Sequence, residues 1–505
     1  MIQEYRDISD HIIEDVDVCV IGTGAGGAVV AKELAEKGLD VVALEEGSHF
    51  TVKNFNQDPG DMMAMMYRDS GTTVALGLPP ASITLGKCIG GTTTVNSATC
   101  FRTPQEIIEK WSSEYECNGL VYQELIPYFE RVENEINVTE LTQDVLGNIY
   151  QIIKRGAKEL GIDAKPLKHN VRNCEGAGVC QWGCIRKAKQ STDVSYIPKA
   201  DNYGARIYAN CKARKLVVES GRVRGVEGVF IDPKTNKKRY RISITAKVVC
   251  LAMGALITPG FLLKQNLANI SGMTGKGLTI HPCGRVVAEM EEDVLGHHGV
   301  SQGGQIDTFA DEGIMLEGIF IPPGVMAMAL PGVGEDHKYL AKHYNNLAAF
   351  GVMVSDTTRG RVFPGLLGYS YLAVYSMNQA DAEKMRKGIS HVADIFFAAG
   401  AKRVFSGCYA MPVLNSRNDL NEFRKIKIKP WHFEVMAFHP LGTCRMGNNP
   451  MSSVVDLNLE SHEIKGLFVT DGSPFPTSLG VNPQVTIMTF ATRAAEYINA
   501  NLHRY

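Results

Sequence analysis

Long apolar runs and net charge are both scarce in this chain, and each lack excludes something. The longest apolar stretch, residues 248–263, is broken by Gly254, Pro259 and Gly260. It falls short of the roughly 20 residues that a membrane-spanning helix needs. A formal charge of −2 on 505 residues argues against nucleic acid or an acidic membrane surface as the main partner. The first 17 residues are rich in charge and lack the apolar core of a signal peptide. A cytoplasmic location is therefore expected, although export bound to a partner subunit would leave no mark here. Internal repeats and low-complexity linkers are absent too. Most of the 12 cysteines stand singly among apolar residues, Cys19 and Cys250 among them, and read as small core side chains.

What is present begins with a dinucleotide cradle. Residues 16–21 read as a buried parallel strand that runs into Gly22-Thr23-Gly24-Ala25-Gly26-Gly27. A helix follows as far as Lys37, stopped by Gly38, and a second strand, 41–44, ends at Glu45. In this βαβ setting Gly22 permits the tight turn, Gly24 lets backbone approach a pyrophosphate, and Gly27 lets helix and strand pack closely. The helix N-terminus favours phosphate. Glu45 is placed to accept hydrogen bonds from a ribose diol. The motif alone does not separate FAD from NAD.

The C-terminal part carries acid–base chemistry. His439 opens the segment His439-Pro440-Leu441-Gly442-Thr443, Asp471-Gly472 follows, and Asn482-Pro483 reads as a helix start with asparagine at the N-cap and proline at the first helical position. Hydride leaves a carbinol carbon more easily when a base takes the hydroxyl proton, and an imidazole does so near neutral pH. Between the two ends, Cys174, Cys180 and Cys184 share a glycine-rich loop at spacings of six and four. Such a loop suits three thiolates around one inorganic cluster. Zinc with His169 as fourth ligand, or a metal-free loop, are the alternatives.

Four segments in order resemble the glucose-methanol-choline (GMC) flavin oxidoreductases: the cradle, Gly86 to Asn96, Val248 to Pro259, and the block from His439 through Pro483. The resemblance implies an α/β fold with a Rossmann-type FAD-binding domain (residues 1–105, 185–285 and 435–505). Interleaved with it is an α+β substrate domain containing an antiparallel sheet (106–184 and 286–434), with the cysteine loop 173–184 at the junction. It implies FAD as cofactor, lined by Gly90, Gly91, Thr92 and Asn96, with a backbone contact from Ala213 to adenine. Asp471 and Gly472 would lie near the ribityl-phosphate, and the helix starting at Asn482 and Pro483 would point at the flavin. His439 and Asn482 are implied to face flavin N5 and to hold the substrate oxygen.

The cysteine loop and the following Lys187 to Thr192 resemble a subset of the family that carries an iron–sulfur cluster beside FAD. Only three cysteines are present, which favours a three-iron cluster (3Fe-4S) over a four-iron one (4Fe-4S) with an open iron. The expected function is thus an FAD-dependent dehydrogenase of an alcohol, polyol or sugar. Its electrons would leave through the cluster to a one-electron acceptor, with a partner subunit or a second copy as further partners. An oxygen-using alcohol oxidase without a cluster and a flavin and iron–sulfur electron carrier are the alternatives. The apolar, Met-rich residues 318–330 read as a buried strand and turn, with a hydrophobic substrate pocket as the competing reading. Helical spacing is visible over 105–135 and 380–400.

Overall fold

The computed structural model describes residues 2–319, 322–365 and 370–505, with backbone alone at residues 328 and 329. Phe320 and Ile321 of the apolar stretch lie outside the described residues, as do Leu366, Leu367 and Gly368, where the sequence from Gly365 to Gly368 reads as a strand–turn connection.

The first sheet grows from the cradle. Strand β1 (Ile12–Ile21) leads into helix α1 (Gly27–Glu36) and strand β2 (Val41–Leu44). Val18, Cys19, Val20, Val42 and Ala43 have no exposed surface, which is why these strands read as unbroken apolar runs. Burying each such branched side chain stabilises by about 1.5–3 kcal/mol. Strand β3 (Arg206–Tyr208) extends the sheet beyond β2, and β4 (Cys211–Glu219), β5 (Arg222–Ile231) and β6 (Lys238–Leu251) form an antiparallel ribbon. The long β6 also runs parallel to β1, with Val248 opposite Val18.

The second sheet roofs the site. Strands β7 (Cys283–Glu289), β8 (Ile314–Gly318) and β9 (Leu347–Val354) are antiparallel neighbours with β9 in the centre. Helix α2 (Gln379–Ala398) lies behind them, started by Asn378, whose side chain accepts the Asp381 N–H. Strand β10 (Val435–Ala437) pairs with β7 on one side and, in parallel, with the short strand Ala81–Ile83 on the other. The sheet is therefore mixed at this edge rather than wholly antiparallel.

The chain then returns to the first sheet. Strand β11 (Leu467–Val469) lies parallel to the end of β6, and helix α3 (Gln484–Asn501) packs against α1. The helical spacing over 105–135 resolves into two helices, Gln105–Glu114 and Tyr122–Glu135. The Met-rich stretch differs from expectation. Beyond β8 it forms a helix, Pro323–Ala329, where Pro323 suits a first helical position. No helix among the described residues is long and apolar enough to cross a membrane.

Helix α2 meets the roof through Gly388, where an added Cβ would lie 2.3 Å from Val352 Cγ1. Alanine is ordinarily favoured over glycine in a helix by about 1 kcal/mol. Overpacking against a stiff valine costs about 1–3 kcal/mol. Gly388→Ala is thus expected to lower the thermal unfolding midpoint; a rise would contradict this packing.

Candidate active site

A single cavity of about 540 Å³ runs from the glycine turn after β1 to His439 and Asn482. At the cradle, Gly22 has φ +102°, and a Cβ there would lie 2.4 Å from the Ala252 carbonyl oxygen. A Cβ on Gly27 would lie 1.9 Å from the Gly22 oxygen, and one on Gly26 1.6 Å from the Thr470 oxygen. The glycine requirement at Gly26 comes from the far end of the chain and was not read from the sequence. Gly24 is different, since its nearest neighbour would be the Gly91 Cα at 3.9 Å. Its open face is cavity.

The acid after β2 is engaged by protein. Glu45 Oε2 accepts from the Thr23 amide and hydroxyl (3.0 and 2.8 Å), and Oε1 accepts from the Gly47 amide (2.8 Å). Burial pushes this carboxyl upward, and the three donors oppose it. Three of its roughly four acceptor sites are thus taken by donors among the described residues. Beyond it the sequence reading missed a charged cluster. Glu46 receives Arg68 (3.2 Å) and Lys212 (3.1 Å). Burial raises its pKa, and these cations together with Lys87 outweigh that and hold it well below the usual carboxylate range. Ala213, next along β4, lines the same end of the cavity, at an irregularity in the strand register.

The middle of the cavity is bounded by Gly91 and Thr92, whose Oγ1 accepts the Gly86 amide at 3.2 Å; Gly90 lies outside the lining and donates its amide to the Thr23 hydroxyl at 3.2 Å. A Cβ on Gly91 would stand 2.9 Å from the Gly24 Cα, so the two glycine loops close on each other. Asn96 accepts the Ala98 amide at 3.0 Å and donates to Gln484 at the start of α3. The buried Lys189 donates to the carbonyls of Thr94, Asn96 and Cys180 at 2.7–2.8 Å. Asp471 accepts from the Gly254 amide (2.8 Å), the Ser473 amide (2.8 Å) and the Thr258 hydroxyl. Its carboxylate therefore pins the turn after β6, and burial raises its pKa. At Gly472 a Cβ would meet the Pro440 oxygen at 3.0 Å, which brings the His439 segment down onto this loop.

At the far end Asn482 and Pro483 precede α3. Asn482 does not cap the helix. Its Nδ2 instead lies 3.4 Å from His439 Nε2 and 3.5 Å from Glu317 Oε2. His439 Nδ1, Asn482 Oδ1 and Glu317 Oε1 are buried without a partner among the described residues. Burial, with His281 nearby, holds the His439 imidazole well below its usual range and so neutral. His281 positions this end. Its Nε2 accepts the amides of Leu479 (2.8 Å) and Gly480 (3.2 Å), which leaves the proton on Nδ1, 3.3 Å from the His439 oxygen. His281 sits at φ +49°, held by Asp356, which accepts the Ile280 and His281 amides (both 3.2 Å), Thr279 (2.9 Å), Tyr375 (2.8 Å) and Ser478.

The expected metal centre finds no support. Among the described residues no three His, Cys, Asp or Glu side chains form a group that could hold a metal ion. Cys174 packs with Val145, Tyr150 and Val171, whereas Val179 and Trp182 of the same loop pack with Met62, Met66 and Tyr67. The loop is anchored in two apolar clusters, and its three thiols still lie near one another, since Cys184 adds to the upward push on both Cys174 and Cys180. Burial pushes the Cys180 thiol up to about 11, and the Cys184 sulfur accepts the Lys189 amide at 3.5 Å. His169, the alternative zinc ligand, gives Nε2 to the Gln302 carbonyl.

A glycine-lined cradle joined by one cavity to a buried histidine–asparagine pair defines a dinucleotide-dependent oxidoreductase. Family models described as GMC oxidoreductase match residues 63–283 and 373–491. A GMC-type oxidoreductase of Mycobacterium tuberculosis, itself uncharacterized, is 32% identical over 482 residues, 95% of this chain and 75% of that one. A long-chain-alcohol oxidase of Arabidopsis thaliana is 30% identical over 97% of this chain and 67% of its own. Among solved structures, pyridoxine 4-oxidase from Mesorbium loti superposes with TM-score 0.73 at 18% identity, covering 97% of this chain and 99% of that one. Aspergillus oryzae formate oxidase gives 0.74 at 16%, covering 98% and 99%. The chain belongs to the GMC oxidoreductase family.

The cradle makes two alanine substitutions diverge. Gly26→Ala is expected to lower thermal stability by about 1–3 kcal/mol through the Thr470 clash. Gly24→Ala is expected to leave the cofactor-free protein equally stable and to weaken dinucleotide binding, read by titration with FAD. Equal effects of the two on apoprotein stability would contradict this geometry.

Proposed function

We propose that this GMC oxidoreductase is an FAD-dependent enzyme that oxidises the CH–OH group of an alcohol. The observation that carries the reading is the placement of His439 and Asn482 at one end of a cavity whose other end is the Gly22 to Gly27 cradle. FAD fits the residues present: Gly24 and Gly91 leave room for the pyrophosphate, Glu45 keeps an acceptor for the ribose, and Ala213 lies at the adenine end. When bound, FAD supplies the two-electron acceptor. His439 and Asn482 hold the hydroxyl oxygen, and His439 assists removal of its proton. The division into an FAD part (1–105, 185–285, 435–505) and a substrate part (106–184, 286–434), and a cytoplasmic location, belong to the same proposal.

The substrate end is apolar beside Ile319, Pro322, Val325 and Met353, which supports a hydrophobic alcohol over a sugar. Relatives named as long-chain-alcohol oxidases favour molecular oxygen, reduced to peroxide, as the electron sink. The dehydrogenase reading, with electrons leaving through a cluster on Cys174, Cys180 and Cys184, has no metal-holding group of side chains among the described residues to support it. Iron and acid-labile sulfide in protein purified without oxygen would restore it.

With an oxygen electrode and a panel of primary alcohols, the holoenzyme is expected to consume oxygen and release peroxide. His439→Ala is expected to lower kcat by about 10²–10⁴-fold while FAD stays bound. Unchanged turnover would remove His439 from the mechanism.

A further inference from the structure

Strand β8 carries one acidic residue in the sequence Ile-Met-Leu-Glu-Gly, and it falls on the cavity side. Ile314 faces Gly388 of α2. By the two-residue alternation of a strand, Ile314 and Leu316 then point to the helix, and Met315 and Glu317 to the opposite face. In register, Glu317 stands opposite Gly351 of β9, and Gly351 opposite Arg285 of β7. The missing side chain at Gly351 leaves the roof open next to Glu317. Glu317 is 7% exposed. Its Oε2 faces Asn482 Nδ2 (3.5 Å) and Gln302 Nε2 (3.4 Å), and Gln302 is itself held by Thr99 at 2.7 Å. Its Oε1 has no partner among the described residues. A buried carboxyl with one oxygen braced and the other left open is costly unless a ligand completes it, since an unmet buried polar atom costs about 1–3 kcal/mol.

Resting on the alcohol-oxidation reading, we infer that Glu317 is a further catalytic residue, whose open Oε1 takes the hydroxyl proton of the alcohol held by His439 and Asn482. The O–H bond breaks and an Oε1–H bond forms. The oxygen electron pair becomes the second bond of the carbonyl product, and the carbinol hydrogen with its two electrons would go to the two-electron acceptor that bound FAD would supply. The environment suits the role. No cation forms an ion pair with Glu317 among the described residues: Arg285 is taken by Glu434 at 2.6 Å. The remaining neighbours are Gln302 and Asn482, uncharged; Cys283, whose thiol burial pushes up; and His439, kept neutral. Burial, opposed by Asn482 and Gln302, raises the Glu317 carboxyl to about 7. It therefore retains a proton near neutral pH better than the depressed His439 imidazole does.

As a base, Glu317 must be ionised, so kcat/KM of the holoenzyme is expected to fall tenfold per pH unit below the neutral range. Glu317→Gln, close in shape, is expected to lose that limb and about 10²–10⁴-fold in kcat. His439→Gln is expected to keep the limb. An infrared pH titration of the holoenzyme without substrate reads the carboxyl directly. A protonated-carboxyl band is expected to grow in below neutral pH and to be missing in Glu317→Gln. Persistence of the pH limb in Glu317→Gln, or an infrared difference without that band, would overturn the assignment. The infrared arm holds even if no alcohol proves to be a substrate, so failure of the function and failure of the assignment are told apart.

Discussion

The close approach of the chain's two ends at Gly26 is the constraint on which the site depends. The Thr470 oxygen occupies the place of a side chain there. From that contact β11 is held parallel to β6, and Asp471 is held over the turn after β6 by bonds from Gly254 and Thr258. Gly472 then lets the Pro440 backbone come within reach, and His439 with it. The glycine turn of residues 22–27 and the segment of residues 439–482 are therefore parts of one packed unit.

The site stores uncompensated polarity. Among the described residues, His439, Asn482 and Glu317 each bury an atom without a partner, beside apolar side chains. Each such atom costs about 1–3 kcal/mol, comparable to a sizeable share of a domain's net stability of about 5–15 kcal/mol. The fold meets this cost around the site rather than in it. Asp356 gathers five donors from the segments bearing Thr279, Tyr375 and Ser478, and His281 bonds both the loop before Asn482 and the backbone of His439. The result is a braced frame about three side chains that line the cavity.

The βαβ cradle was legible in the sequence because its signals are local: β2 begins and ends where its apolar run does, and α1 stops beside Gly38. The second sheet was visible only through family resemblance, because its pairing of Ala81–Ile83 with β10 joins segments hundreds of residues apart. Glu317 passed unnoticed for the same reason. One acid in an apolar strand is a weak signal, and its meaning depends on Asn482, 165 positions away. The lone acid in Ile-Met-Leu-Glu-Gly, at a position that alternation turns away from the helix, was the available clue. Asn482 was read as a helix cap, a local role, whereas a longer-range pairing with His439 and Glu317 claims its side chain. The cysteine spacing did bring Cys174, Cys180 and Cys184 near one another, but no metal-holding group of side chains is found among the described residues to support the cluster read from it.

The most direct test of the central claim is anaerobic mixing of the FAD-loaded protein with long-chain primary alcohols, followed by flavin absorbance. Bleaching of the oxidised flavin by an alcohol, with recovery and stoichiometric peroxide once oxygen is admitted, is the result expected of one cavity joining the cradle to His439, Asn482 and Glu317. A chain that binds FAD but is bleached by no alcohol, sugar or polyol would contradict it.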